Sequence, residues 1–86
     1  MEISWSTEKD DLLKETRGVS FQEVREEIAQ GRFIGPEANP GHPSQRRIIV
    51  NLNGYPHIVP IVIDHAGNWF LKTIYPNRKI KKEGRI

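Results

Sequence analysis

Cysteine is absent from all 86 residues, so no disulfide staples this chain and no thiolate can hold a metal. Aromatic residues make up only 8%, and methionine occurs once. No apolar run approaches the roughly 20 residues of a membrane-spanning helix. The opening MEISWSTEKDD is acidic and lacks the apolar stretch of a signal peptide. A soluble, cytoplasmic protein is the expectation. GxGxxG, P-loop and nucleophile-elbow patterns are missing. His42 sits in a proline-rich stretch and His65 in a turn, without ligand partners at metal spacing, so no metal site and no cofactor are expected.

What is present suits one domain, residues 1–86, with one modest core. Its net charge of +2 hides a polarity. Residues 1–43 carry nine Asp/Glu and five Lys/Arg, a balance of −4. Residues 44–86 carry eight Lys/Arg against Asp64 and Glu83, a balance of +6. Such polarity suits a basic face for a polyanion or an acidic protein, or a plain segregation of charge between two structural halves.

The first half reads as helical. Ser6 or Thr7 caps a helix over residues 7–16, with Asp10 and Asp11 near its positive end, Leu12 and Leu13 as its apolar residues and Gly18 as its stop. In VSFQEV, Ser20 and Glu23 form a capping box, and Val19 with Val24 forms a hydrophobic staple. Phe21, Val24 and Ile28 share one face of that second helix, and Gly31 ends it.

The second half reads as strands. RFIG is a short strand and PEANPGHPSQ a loop. RRIIVNL alternates, with Ile48, Val50 and Leu52 on one face and Arg47, Ile49 and Asn51 on the other. Asn53-Gly54 marks a tight hairpin. HIVPIVID follows as a strand whose Pro60 predicts an edge or a bulge, because proline cannot donate to a ladder. WFLKTIY is the last strand, closed by Pro76. The predicted fold is α+β: two N-terminal helices packed on a mostly antiparallel sheet of three to four strands.

Trp5, Lys9 and GVSFQEV resemble the start of the BrnT family of toxins, including the spacing from tryptophan to glycine. GYPHIVPIVID and KTIYP resemble a related group of small domains with a G-x-P-x-H-V-V strand and a T-x-Y-x-P ending. Both groups stand with the RelE-like toxins and a barnase/colicin/RelE-type fold. The resemblance implies a metal-independent endoribonuclease that cleaves mRNA and is neutralised by a cognate antitoxin. The chain departs from that pattern in three places. Arg17 stands where the family has histidine, Ser6 where it has aspartate, and His57 lies one position before the expected histidine.

Cleaving RNA without a metal needs a base for the 2′-OH, an acid for the leaving oxygen, and donors for the phosphorane charge. The candidate catalytic residues are Lys72, Tyr75, Arg78 and His57. Lys72 stands between Phe70 and Ile74 on one strand face, either aimed at a ligand or covering apolar surface with its stem. Tyr75 suits base stacking or proton transfer, or is a strand-end tyrosine with a wet hydroxyl. Arg78 brings a fixed fork of donors for phosphate. His57 is the one histidine on a predicted strand, and histidine is the side chain suited to proton transfer near neutrality. Arg17, Arg46 and Lys79 are the candidate RNA-binding residues. Arg17 cannot serve as a base, because guanidinium keeps its proton. Lys81, Lys82 and Arg85 read as a solvated basic tail. Two further readings stay open: a non-catalytic RNA-binding domain of the same fold, and a protein-interaction module pairing through an exposed sheet edge.

Overall fold

The computed structural model describes residues 1–84, so Arg85 lies outside the described residues. The fold class is α+β. In chain order the elements are β1 (Ile3–Trp5), α1 (Thr7–Arg17), α2 (Phe21–Ala29), β2 (Ile34–Ala38), β3 (Arg46–Leu52), β4 (Tyr55–Ile63), β5 (Trp69–Leu71), β6 (Tyr75–Pro76) and α3 (Arg78–Glu83).

Both N-terminal helices begin as their caps dictate. Ser6 accepts from the Lys9 N–H through its hydroxyl oxygen, and Gly18 closes α1 with φ +65°. At α2 the Ser20 hydroxyl accepts from Glu23 N–H at 3.3 Å, while Glu23 Oε1 accepts from Ser20 N–H at 3.0 Å. Asp10 turns inward instead of facing water. Its Oδ1 accepts the buried Phe21 N–H at 2.8 Å, and its Oδ2 pairs with Lys14 Nζ at 3.0 Å. One carboxylate thus fastens the middle of α1 to the start of α2. Leu13 is buried, whereas Leu12, expected beside it in the core, is exposed.

The sheet has six strands rather than three to four, in the order β1-β5-β4-β3-β2, with β6 also paired to β4. β1 pairs parallel with β5, and the other pairings are antiparallel. β1 is too short to show a period in sequence. Leu13, Val19, Phe21, Val24 and Ile28 meet Ile48, Val50, Leu52, Val59, Ile61, Leu71 and Ile74 in one core. Burial of each large side chain stabilises the fold by about 1.5–3 kcal/mol. On the opposite sheet face, Ile49 and Ile58 pack with Ile80 of α3 in a small second core.

Four further expectations change. The loop predicted from Pro36 is partly strand, because β2 continues through Ala38. A register irregularity between Ile34 and Glu37 carries the strand past Gly35, where a Cβ would lie 2.7 Å from the Arg47 carbonyl oxygen. Pro60 lies on neither edge, since β4 is interior. It sits between Ile58, which pairs with β6, and Ile61, which pairs with β5. Its carbonyl accepts Lys72 N–H at 2.8 Å, and proline leaves no N–H to satisfy at that gap.

The predicted strand over residues 69–75 breaks after Leu71. The break shifts the side-chain alternation by one, so Ile74 enters the main core and Tyr75 packs against the second core. Residues 78–83 are helical rather than a solvated tail, with Asn77 as cap and Ile80 as anchor.

Candidate functional site

The Asn53-Gly54 turn sets the site. Both residues have positive φ, +56° and +75°, which matches the right-handed twist of the two strands. The turn pairs Leu52 with Tyr55 and Val50 with His57. Paired residues share a face, so Tyr55 and His57 lie on the helix-covered side, at the hairpin end of the sheet.

Two further segments reach the same end. Arg17 is the last residue of α1, and Val19 follows in the link to α2. β6 pairs Pro76 with His57, and Arg78 opens α3 two residues later. The result is an open cleft of about 480 Å³. Val19, Leu52 and Pro76 supply its apolar lining; Asn53, Tyr55 and His57 supply polar groups; Arg17 and Arg78 supply charge. No carboxylate lines it among the described residues, so the site favours an anion.

Hydrogen bonds hold Arg17 and His57 in place. Arg17 Nη1 donates to the Ile74 carbonyl oxygen at 2.6 Å. His57 is 7% exposed, and its Nδ1 lies 2.8 Å from the Tyr55 carbonyl oxygen. A carbonyl only accepts, so Nδ1 carries the proton and Nε2 of the neutral ring is left as the basic nitrogen. The His57 and Tyr55 rings meet edge-on with centroids 6.2 Å apart. Lys81 Nζ lies 5.7 Å from the Tyr55 ring centroid and adds positive charge beside the cleft. Arginines hold their protons, so His57 and Tyr55 are the cleft groups able to exchange one.

No family model, no curated protein and no solved structure matches the chain.

Of the seven residues singled out from sequence, His57, Arg17 and Arg78 come together in the cleft. Lys72 and Tyr75 do not line it. Lys72 is exposed, with its ammonium 5.5 Å from the Phe70 ring. Tyr75 packs on the second core, because it pairs with Ile58 and successive strand residues face opposite sides. Lys79 lines a separate concavity of about 250 Å³ with Arg47 and Asn77. Arg46 is exposed at the other end of β3, about 20 Å along the strand from Leu52.

Tyr55 and Asn53 also line the cleft, though neither is among the candidates from sequence. The signal was available: a two-residue turn after Leu52 makes Tyr55 its partner and puts Tyr55 and His57 on one face. Among the described residues no group of three or more His, Cys, Asp or Glu is arranged to hold a metal ion. No helix among them is long and apolar enough to cross a membrane.

Proposed function

We propose that this protein is an endoribonuclease that cuts single-stranded RNA without a metal, a cytoplasmic toxin of the BrnT/RelE kind held silent by a cognate antitoxin. One observation carries the reading: a histidine with a free basic nitrogen shares an open cleft with two arginines and no lining carboxylate. The α+β order of two capped helices followed by an antiparallel hairpin supports the reading.

The chemistry follows from the groups. The scissile phosphate lies between Arg17 and Arg78, whose forks match its oxygens. His57 Nε2 takes the proton of the 2′-OH as that oxygen bonds to phosphorus. The bond from phosphorus to the 5′-oxygen breaks, and the departing oxygen takes a proton from the Tyr55 hydroxyl. The products are a 2′,3′-cyclic phosphate and a free 5′-OH. The tyrosinate regains its proton from His57 through solvent. The arginines stabilise the phosphorane charge, for which a single donor is typically worth about 10²–10³ in rate. An antitoxin with an acidic surface would cover the cleft, because opposite potentials pair across interfaces.

The test is cleavage of labelled single-stranded RNA by purified protein in the presence of a chelator, with and without ribosomes, alongside growth on expression. Fragments ending in a cyclic phosphate, lost in His57→Gln and Arg78→Ala but kept in Lys72→Ala, are expected. RNA left intact in every assay, with no growth arrest, sinks the enzyme. Intact RNA bound with a steep salt dependence identifies a non-catalytic RNA-binding domain instead.

A further inference from the structure

We infer that Asn53 reads the base of the nucleotide whose phosphate sits between Arg17 and Arg78. The inference rests on the ribonuclease reading and adds its specificity. Asn53 stands at the tip of the β3–β4 hairpin and lines the same cleft as the two arginines. Its side chain is exposed, and its amide makes no hydrogen bond within the described residues. An amide offers two donors beside an acceptor, the pattern that pairs with a base edge. Next to it, the half-buried Tyr55 supplies the aromatic surface on which an unpaired base settles. Phosphate, base platform and base reader therefore lie in one cleft with room for a nucleotide.

Turn geometry alone asks only for a residue that tolerates positive φ, and Asp or Gly meets that need as well as Asn. The turn therefore explains the backbone but not the amide, and those two substitutions separate the explanations. Asn53→Gly removes the reader and keeps the turn. Asn53→Asp keeps the acceptor and loses both donors. A carboxylate at that tip only accepts, so it favours guanine, whose N1–H and N2–H donate side by side, over the mixed donor–acceptor edges of adenine and cytosine.

The experiment measures binding of the four nucleoside 3′-monophosphates and of inorganic phosphate, by calorimetry, to the wild type and both variants. Base preference in cleavage of single-stranded RNA is read in parallel. The wild type is expected to rank the four nucleotides and to bind the best of them more tightly than phosphate. Asn53→Gly should flatten that ranking. Asn53→Asp should shift the adenine-to-guanine ratio roughly tenfold or more toward guanine, with phosphate binding reduced equally across nucleotides. An unchanged ranking in both variants, or nucleotides no tighter than phosphate, overturns the inference. Cleavage with one base pattern in all three proteins overturns it while leaving the ribonuclease intact. Ranked binding that responds to both variants, without cleavage of any RNA, upholds base reading and removes the enzyme.

Discussion

Arg17, at the end of α1, donates from Nη1 to the carbonyl oxygen of Ile74 at 2.6 Å, tying the helical half to the segment that leads into β6. The bond joins residues 57 positions apart and uses one of the five guanidinium donors. The same residue lines the cleft. Arg17→Lys keeps the charge but loses the fork, so cleavage should fall about tenfold or more. Arg17→Ala should fall further and also lower the unfolding midpoint. Equal cleavage by all three proteins removes Arg17 from the site.

His57→Gln should lower cleavage by about 10²–10⁴, the usual contribution of a positioned acid or base. RNA binding should change little, because the two arginines remain. His57→Asn and Tyr55→Phe provide the comparison. If His57→Gln cuts RNA at the wild-type rate, the proton moves by another route.

Asp10→Ala leaves the Phe21 N–H buried without its acceptor. The expected loss is about 1–3 kcal/mol, the usual penalty for an orphaned buried donor. For a domain of this size each kcal/mol shifts the midpoint by about 4–8 °C. Asp10→Asn keeps an acceptor oxygen and should lose less. Urea titrations of both variants at one pH check the order.

Ile80→Ala tests whether α3 holds Arg78 in the cleft. Ile80 is 3% exposed and is the α3 residue in the second core. A helix of six residues has little stability of its own. Amide exchange should quicken in residues 78–83, and cleavage should fall, while exchange in β3 and β4 stays slow. Uniformly faster exchange across the sheet would show instead that the second core supports the whole fold.

Acid should weaken the fold through exposed Asp64 and partly buried Glu27. Backbone N–H donors, led by that of Asn68, hold Asp64 below its ordinary value of 3.8. The hydrogen bond from Arg32 holds Glu27 below 4.5. A depressed carboxylate stabilises the fold above its unfolded-state value, and the contribution fades as pH falls through the lower folded-state value. The midpoint should therefore drop between about pH 5 and pH 3, and less steeply in an Asp64→Asn, Glu27→Gln double variant. A parallel slope in that variant places the acid sensitivity elsewhere.

Much of the local structure was legible in sequence. The Ser20–Glu23 box, the Val19 staple, the Asn53-Gly54 turn and the alternation of β3 all involve partners within a few residues. The candidate site was legible by halves. His57, Arg17 and Arg78 are in the cleft, whereas Lys72 and Tyr75, placed on opposite faces on the assumption of an unbroken strand, are not. That assumption failed between Lys72 and Ile74, where Pro60 of the neighbouring strand faces the gap and the alternation shifts by one. No property of KTIYP alone announces it, because the cause lies on another strand.

By itself, then, the sequence determined the helix starts, the hairpin and its register, and with them the shared face of Tyr55 and His57. These are set by backbone angles and by hydrogen bonds between near neighbours, which short stretches of chain already contain. Only the tertiary structure decided that β1 pairs parallel with β5, that Ile80 seats residues 78–83 as a helix, and that Arg17 and Arg78 line one cleft with His57. Those arrangements depend on partners distant along the chain, chosen by which faces bury together, and so they exist only once the core has formed.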